Sequence, residues 1–225
     1  MNKITKILAF LMICNCVQIK AQDKSKNDVS YEKVVTERAA KIVKNLSIPD
    51  SSKAIIIRDI IANQYKTLND FHEVRKLNLK TIAKDNSKTI ADSLSKIATA
   101  QSEIQLSQIH KAFLKQLSKK LSKEQVEGVK NGMTYGVFPN TFRAYQEMMP
   151  DLTKKQKKQI YNYLFEAREH AMDAESSDKK HAWFGKYKGR INNYLSNEGI
   201  NMKEVSLAWE KKIREEAKKN AETKH

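Results

Sequence analysis

The 225-residue chain carries 42 Lys and Arg against 26 Asp and Glu, a formal net charge of +16, and only two cysteines. Both cysteines lie at positions 14 and 16, inside the N-terminal apolar run, so a mature chain without that run has no disulfide, no thiolate nucleophile and no cysteine-bound metal. Six glycines, three prolines and no Val/Ile/Thr stretches alternating at period two exclude a β-rich fold.

The chain opens with Lys3 and Lys6, then the apolar stretch ILAFLMICNCV (7–17), then Ile19-Lys20-Ala21 before Gln22. A short positive region, a compact apolar core and a small residue at the cut make a secretory signal peptide over 1–21. The apolar run is too short for a membrane span, and no later one approaches that length. Lipid anchoring through Cys14 or Cys16 is the less favoured alternative, because Ile13 and Asn15 precede them poorly for it. Lys3, Lys6 and Lys20 leave with the leader, so the charge falls by three to +13. Export and the interleaving of lysines with glutamates argue against nucleic acid. Acidic glycans, glycan-processing proteins or an anionic envelope surface remain as partners, and the expected location is periplasmic or extracellular.

After a flexible 22–29, apolar spacing and start signals predict helices over 30–46, 51–77, 86–120, 123–133, 140–148, 154–174 and 178–197. Ser122 with Gln125 and Thr153 with Gln156 form capping boxes, which explains the similarity of LSKEQVEGV (121–129) to LTKKQKKQI (152–160). Residues 78–88, polar and weakly periodic, read as an internal linker. In 86–120 the apolar phase slips: Ile90, Leu94, Ile97 and Ile104 share one face, whereas Ile109, Phe113 and Leu117 share another. Beyond 199 comes a peripheral helix, 202–221, rich in Lys and Glu and docked only by Val205, Trp209 and Ile213. The expectation is a single all-α, bundle-like domain (30–199) of six to seven helices, with 200–225 as a peripheral helix and tail.

Chemistry concentrates between 128 and 195. On the predicted helix 154–174, Arg168 points into the apolar sector of Ile160, Leu164, Ala167 and Met172. A guanidinium there needs either a carboxylate from another helix or a ligand anion. The opposite stripe aligns Glu166, His170 and Asp173 as a metal or a catalytic acid would require. A solvated helix face looks the same, and with no second histidine at i+4 the solvated reading is preferred. On 178–197, Trp183, Phe184, Tyr187 and Tyr194 form an aromatic stripe bordered by Arg190 on one side and His181, Lys188 and Asn192 on the other. Gly185 and Gly189, like Gly128, Gly132 and Gly136, recur every four residues, and glycine inside a helix costs about 1 kcal/mol against alanine. Close approach of a backbone or a ligand is the expected compensation, with the two glycine segments facing one another across a pocket or a packed contact. Tyr135, Arg143, Arg168, Trp183, Tyr187, Lys188, Arg190 and Asn192 are the candidate ligand-binding residues, the rings for sugar and the cations and amide for acidic groups. A lyase reading gives His181, Tyr187 and Arg190 the roles of base and carboxylate neutraliser; a scaffold without a small-molecule site is the third alternative. No cofactor is expected.

The blocks LSKEQVEGVKNGMTYGVF (121–138), AYQEMMPDLTKKQK (144–157), EAREHAMDAESSDKKH (166–181) and FGKYKGRINNYLSNEG (184–199), with ERAAKIVKNL (37–46) and Asn63-Gln64-Tyr65, resemble a family of exported Bacteroidetes proteins, domain of unknown function 3826. The resemblance implies a secreted accessory protein associated with polysaccharide utilisation. It implies no catalytic residues.

Overall fold

The computed structural model describes residues 26–222, which form eight α-helices and, among the described residues, no strand. The expected signal peptide, with its two cysteines and cleavage position, lies outside the described residues. The helices are α1 (Lys26–Lys44), α2 (Ser51–Asp85), α3 (Lys88–Ser118), α4 (Lys123–Met133), α5 (Val137–Met148), α6 (Lys154–Met172), α7 (Ser177–Asn197) and α8 (Met202–Glu222). The all-α reading with a peripheral last helix holds.

Helix α1 begins four residues earlier than expected, so 26–29 are helical where a flexible segment was expected, and two further boundaries differ for physical reasons. Residues 78–85 are not a linker: α2 runs unbroken to Asp85, and only Asn86 and Ser87 separate it from α3. Helical hydrogen bonds do not require an apolar face, and this stretch contains neither Gly nor Pro, so a polar composition alone does not end a helix. Helix α5 starts three residues early, at Val137, because Tyr135 and Gly136 both adopt left-handed backbone (φ 59° and 67°) and complete the reversal ahead of it. Both capping boxes form as the spacing requires. The Ser122 and Thr153 hydroxyls accept from the backbone N–H of Gln125 and Gln156, whose side chains accept in return.

Helices α1 to α4 enclose one core, built on Val35, Ala39, Ile57, Ile61, Leu117 and Val129. Helices α5 to α7 enclose a second, built on Phe138, Ile160, Leu164, Phe184, Ile191 and Leu195. Each of the larger side chains among these contributes about 1.5–3 kcal/mol by leaving water. The two cores meet at α6, whose Met172 belongs to the first and whose Ile160, Leu164, Ala167 and Ala171 belong to the second. The phase slip in α3 now has its cause. Phe113 and Leu117 enter the first core, whereas the N-terminal part of α3 leaves the body and pairs with the far end of α2 through small residues, Ala91, Ala98 and Ser102. The result is an α2–α3 arm whose Ile90, Ile97 and Ile104 are more than half exposed.

Candidate functional site

The base of this arm and the elbow between α6 and α7 form the walls of a cleft of about 940 Å³. Helix α2 supplies His72, Arg75, Lys76 and Leu79; α3 supplies Glu103, Leu106, Ser107 and His110; the elbow supplies Glu169, His170, Asp173, Glu175, Lys179 and Trp183. Three of the chain's five histidines therefore converge here from three helices. His72 continues the core stripe of Ile57, Ile61 and Leu68 on α2, and His110 leads the stripe of Phe113 and Leu117 on α3. Both are carried into the interior by the phase of their neighbours.

The wall is a chain of charges. The imidazole of His110 stands between two carboxylates of α6 and its elbow, with Nδ1 2.7 Å from Asp173 Oδ2 and Nε2 3.3 Å from Glu169 Oε2. The Nδ1 contact is close but not aligned as a hydrogen bond, and Asp173 Oδ1 is buried without a partner. His72 Nε2 lies 2.7 Å from the backbone carbonyl oxygen of Asp173, so two histidines hold the elbow. The carboxylates beside His110, Asp173 first and then Glu169, raise its pKa to about 9 against the opposing effect of burial. Burial would push Glu169 up, but His110, the Lys130 ammonium and the Arg168 guanidinium overcome it and hold the carboxyl at about 2. His110 and Glu169 thus oppose one another as a partly buried ion pair with Asp173 beside them.

Behind the wall lies Arg168. It is fully buried and meets carboxylates of its own chain: Nη2 is 2.6 Å from Glu127 and 3.2 Å from Glu169, and Nη1 donates to Asn131 Oδ1 at 2.8 Å. Its guanidinium also packs over the rings of Phe138 and Phe165. Lys130, buried on α4, bridges the same Glu127 and Glu169 at 3.3 and 2.9 Å. Arg168 therefore ties α6 to α4 and does not line the cleft.

Of the other sequence-derived candidates, Trp183, His170 and Asp173 line the cleft. His170 stacks on the Trp183 indole, centroids 4.3 Å apart, and Lys186 stands 4.8 Å over that indole. Burial and the nearby Lys186 charge keep the His170 pKa below its usual value. Glu166 turns instead to the Tyr187 phenol, so the Glu166, His170, Asp173 set does not converge; among the described residues no three such donors are arranged to hold a metal ion. Tyr187 is buried in the second core with Arg190 over its ring at 4.6 Å. Burial, reinforced by Glu166, raises its pKa, the opposite of what a proton-abstracting phenolate needs. His181 stacks on Tyr135 at 5.7 Å, on the opposite side of α7 from Arg190 and about two and a half turns before it, so His181, Tyr187 and Arg190 are not brought together. Asn192 accepts from the Tyr145 hydroxyl at 2.7 Å, Arg143 pairs with Glu147 on the outside of α5, and Lys188 is exposed.

The glycine sets do not face each other. A Cβ at Gly128 or Gly132 would come within 2.7–2.9 Å of Leu46 or Ile42, so close approach operates there, between α4 and the α1 end of the first core. Gly185 and Gly189 border open space.

Reasoning from sequence singled out neither His72, His110, Lys130 nor Lys180. Lys180 is buried, and its ammonium donates to the Ala171 and Met172 carbonyls, closing the C-terminus of α6 at the floor of the elbow. Each of the four sits in the apolar phase of its helix, and that placement was the available signal.

A family model described as "Protein of unknown function (DUF3826)" matches residues 32–215. No curated protein matches the chain.

Proposed function

The chain belongs to the DUF3826 family, and we propose that it is an exported accessory protein of a Bacteroidetes polysaccharide-utilisation system that binds an acidic carbohydrate fragment in the cleft between the α2–α3 arm and the α6–α7 elbow. The observation that carries this reading is the lining of that cleft. Its volume suits an oligosaccharide of a few rings, and charged donors and acceptors of both signs alternate around it with the edge of the His170–Trp183 stack and two leucines. Sugar hydroxyls donate and accept at once, so a wall offering carboxylates beside lysine, arginine and histidine matches them better than a purely apolar pocket would. Arg75, Lys76 and Lys179 supply the cations for a carboxylate or sulfate, while His110 is already engaged by the wall's own acids. Trp183 remains a binding residue in this reading; Arg168 acts by holding the wall.

Titration calorimetry with uronate and sulfated oligosaccharides tests it. Binding is expected to weaken with salt, and by about tenfold or more in Arg75→Ala/Lys179→Ala and in Trp183→Ala. No heat and no thermal shift across acidic and neutral oligosaccharides sinks the proposal. N-terminal sequencing of the exported protein tests the leader, with Gln22 expected as the first residue.

A further inference from the structure

On the side of α3 away from the cleft, Ile90, Leu94, Ile97 and Ile104 stand 53, 38, 57 and 62% exposed. At 100° per residue they form one stripe, clear of the Ala91 and Ala98 line that packs on α2 and of the cleft residues Glu103 and His110. We propose that this stripe is a self-association seam through which two copies of the chain pair, arm against arm.

The spacing is the first argument. Ile90, Ile97 and Ile104 are each seven residues apart, Leu94 falls between the first two, and Gln101 takes the matching place between the last two. That is a coiled-coil seam over about 21 Å of helix, with one polar position of the kind that fixes register. Such a row seats its side chains between those of a second helix carrying the same row, which a two-fold axis supplies. Among the described residues nothing occupies that place, since α3 is in substantial contact only with α2 and α4.

Charge selects the second copy over other occupants. Residues 86–109 carry Lys88 and Lys96 against Asp92 and Glu103, a net charge of zero, in a chain whose total is +16. Two copies repel wherever they present their basic surfaces, and this neutral face lets them meet without opposing like charges. An anionic lipid surface would call for lysines along both flanks of the stripe. The flanks are serine, threonine, alanine and glutamine instead, the depletion of charge that marks a protein interface. The seam is independent of the carbohydrate reading, and it leaves the cleft open because it lies on the other side of the arm.

Sedimentation equilibrium of the purified protein over a wide concentration range decides it. A monomer–dimer equilibrium is expected, with the dissociation constant raised about thirtyfold or more by Ile97→Asp and by the milder pair Ile90→Ser/Ile104→Ser. Glu103→Gln, on the cleft side, leaves the equilibrium unchanged. Helicity measured by circular dichroism stays at the wild-type value in all of them, because the altered side chains are exposed. A monomer at every concentration overturns the seam, as does a dimer indifferent to Ile97→Asp. A monomer that sediments with anionic phosphatidylglycerol vesicles also overturns it, by giving the stripe to a membrane.

Discussion

His110 on α3 and Asp173 at the end of α6 approach to 2.7 Å, and this contact fastens the arm to the elbow at the floor of the cleft. The elbow is also held from α2, where His72 reaches the Asp173 carbonyl oxygen, and from α7, where Lys180 donates to the last carbonyls of α6. Three helices thus fix one turn of backbone through polar side chains, His72, His110 and Lys180. Tuning the cleft and stabilising the fold are consequently one electrostatic problem.

The pH dependence of stability follows from that contact. The folded protein holds the His110 proton with a pKa of about 9, against 6.5 for a free histidine. The stabilisation is fully present below 6.5 and is lost as pH rises through about 9. Glu169, held at about 2 instead of 4.5, behaves in the opposite sense: its contribution is present above 4.5 and lost as pH falls toward 2. Urea unfolding as a function of pH is expected to show both losses, and His110→Gln to flatten the alkaline one. An unchanged alkaline slope in that variant would remove His110 from the account.

Arg168→Ala tests the network behind the cleft. It leaves the partly buried Glu169 with one cation fewer and Asn131 without its donor, at a cost of about 3–5 kcal/mol. Glu127→Gln costs less, because Glu127 keeps 41% of its side chain in water and the partner guanidinium retains Glu169. Chemical denaturation of both variants and their double mutant measures the coupling. A loss below 1 kcal/mol for Arg168→Ala would contradict a structural role for this buried guanidinium.

Lys180→Met addresses the α6 terminus. Removing the ammonium leaves the Ala171 and Met172 carbonyls short of their donor, at about 1–3 kcal/mol. It also removes the cost of burying the charge, so the net change at neutral pH is smaller than that loss. Burial lowers the Lys180 pKa to about 8 from 10.5, so its desolvation cost is relieved as pH rises through that interval. That slope opposes the one from His110, and Lys180→Met is expected to steepen the alkaline loss of stability. Denaturation at neutral and alkaline pH checks both signs.

Local rules carried most helices and their caps, because capping boxes and apolar phase are written within a few residues, whereas the left-handed turn at Tyr135 and Gly136 was missed. They also placed Arg168 in an apolar sector, and the physics of buried charge left it two partners to choose between. Choosing Glu127 required knowing that α4 lies across α6, a long-range packing fact that no spacing within 154–174 encodes. The cleft was hidden for the same reason. Glu169, His170 and Asp173 look like any solvated helix face until α2 and α3 bring His72 and His110 against them. The glycines illustrate the converse error. Their i+4 spacing is identical on α4 and α7, yet only α4 is pressed against a neighbour, so spacing alone did not say which pair is needed.

That difference yields opposite signs for alanine. At Gly132 a new Cβ would stand 2.8 and 2.9 Å from the two γ-carbons of Ile42 and 3.3 Å from its Cβ. A β-branched side chain has little freedom to move aside. Overpacking of about 1–3 kcal/mol should therefore outweigh the helix-propensity gain of up to about 1 kcal/mol. At Gly128 the clash is with the far end of Leu46, 2.7 Å away, which can swing out, so Gly128→Ala is expected to be close to neutral. Gly185→Ala and Gly189→Ala meet no atom within 4 Å, and each is expected to stabilise the protein by about 0.5–1 kcal/mol through helix propensity alone. Urea midpoints for the four variants measure the series. If the α7 alanines proved destabilising, something in solution would have to approach that face, and open space would be the wrong description of it.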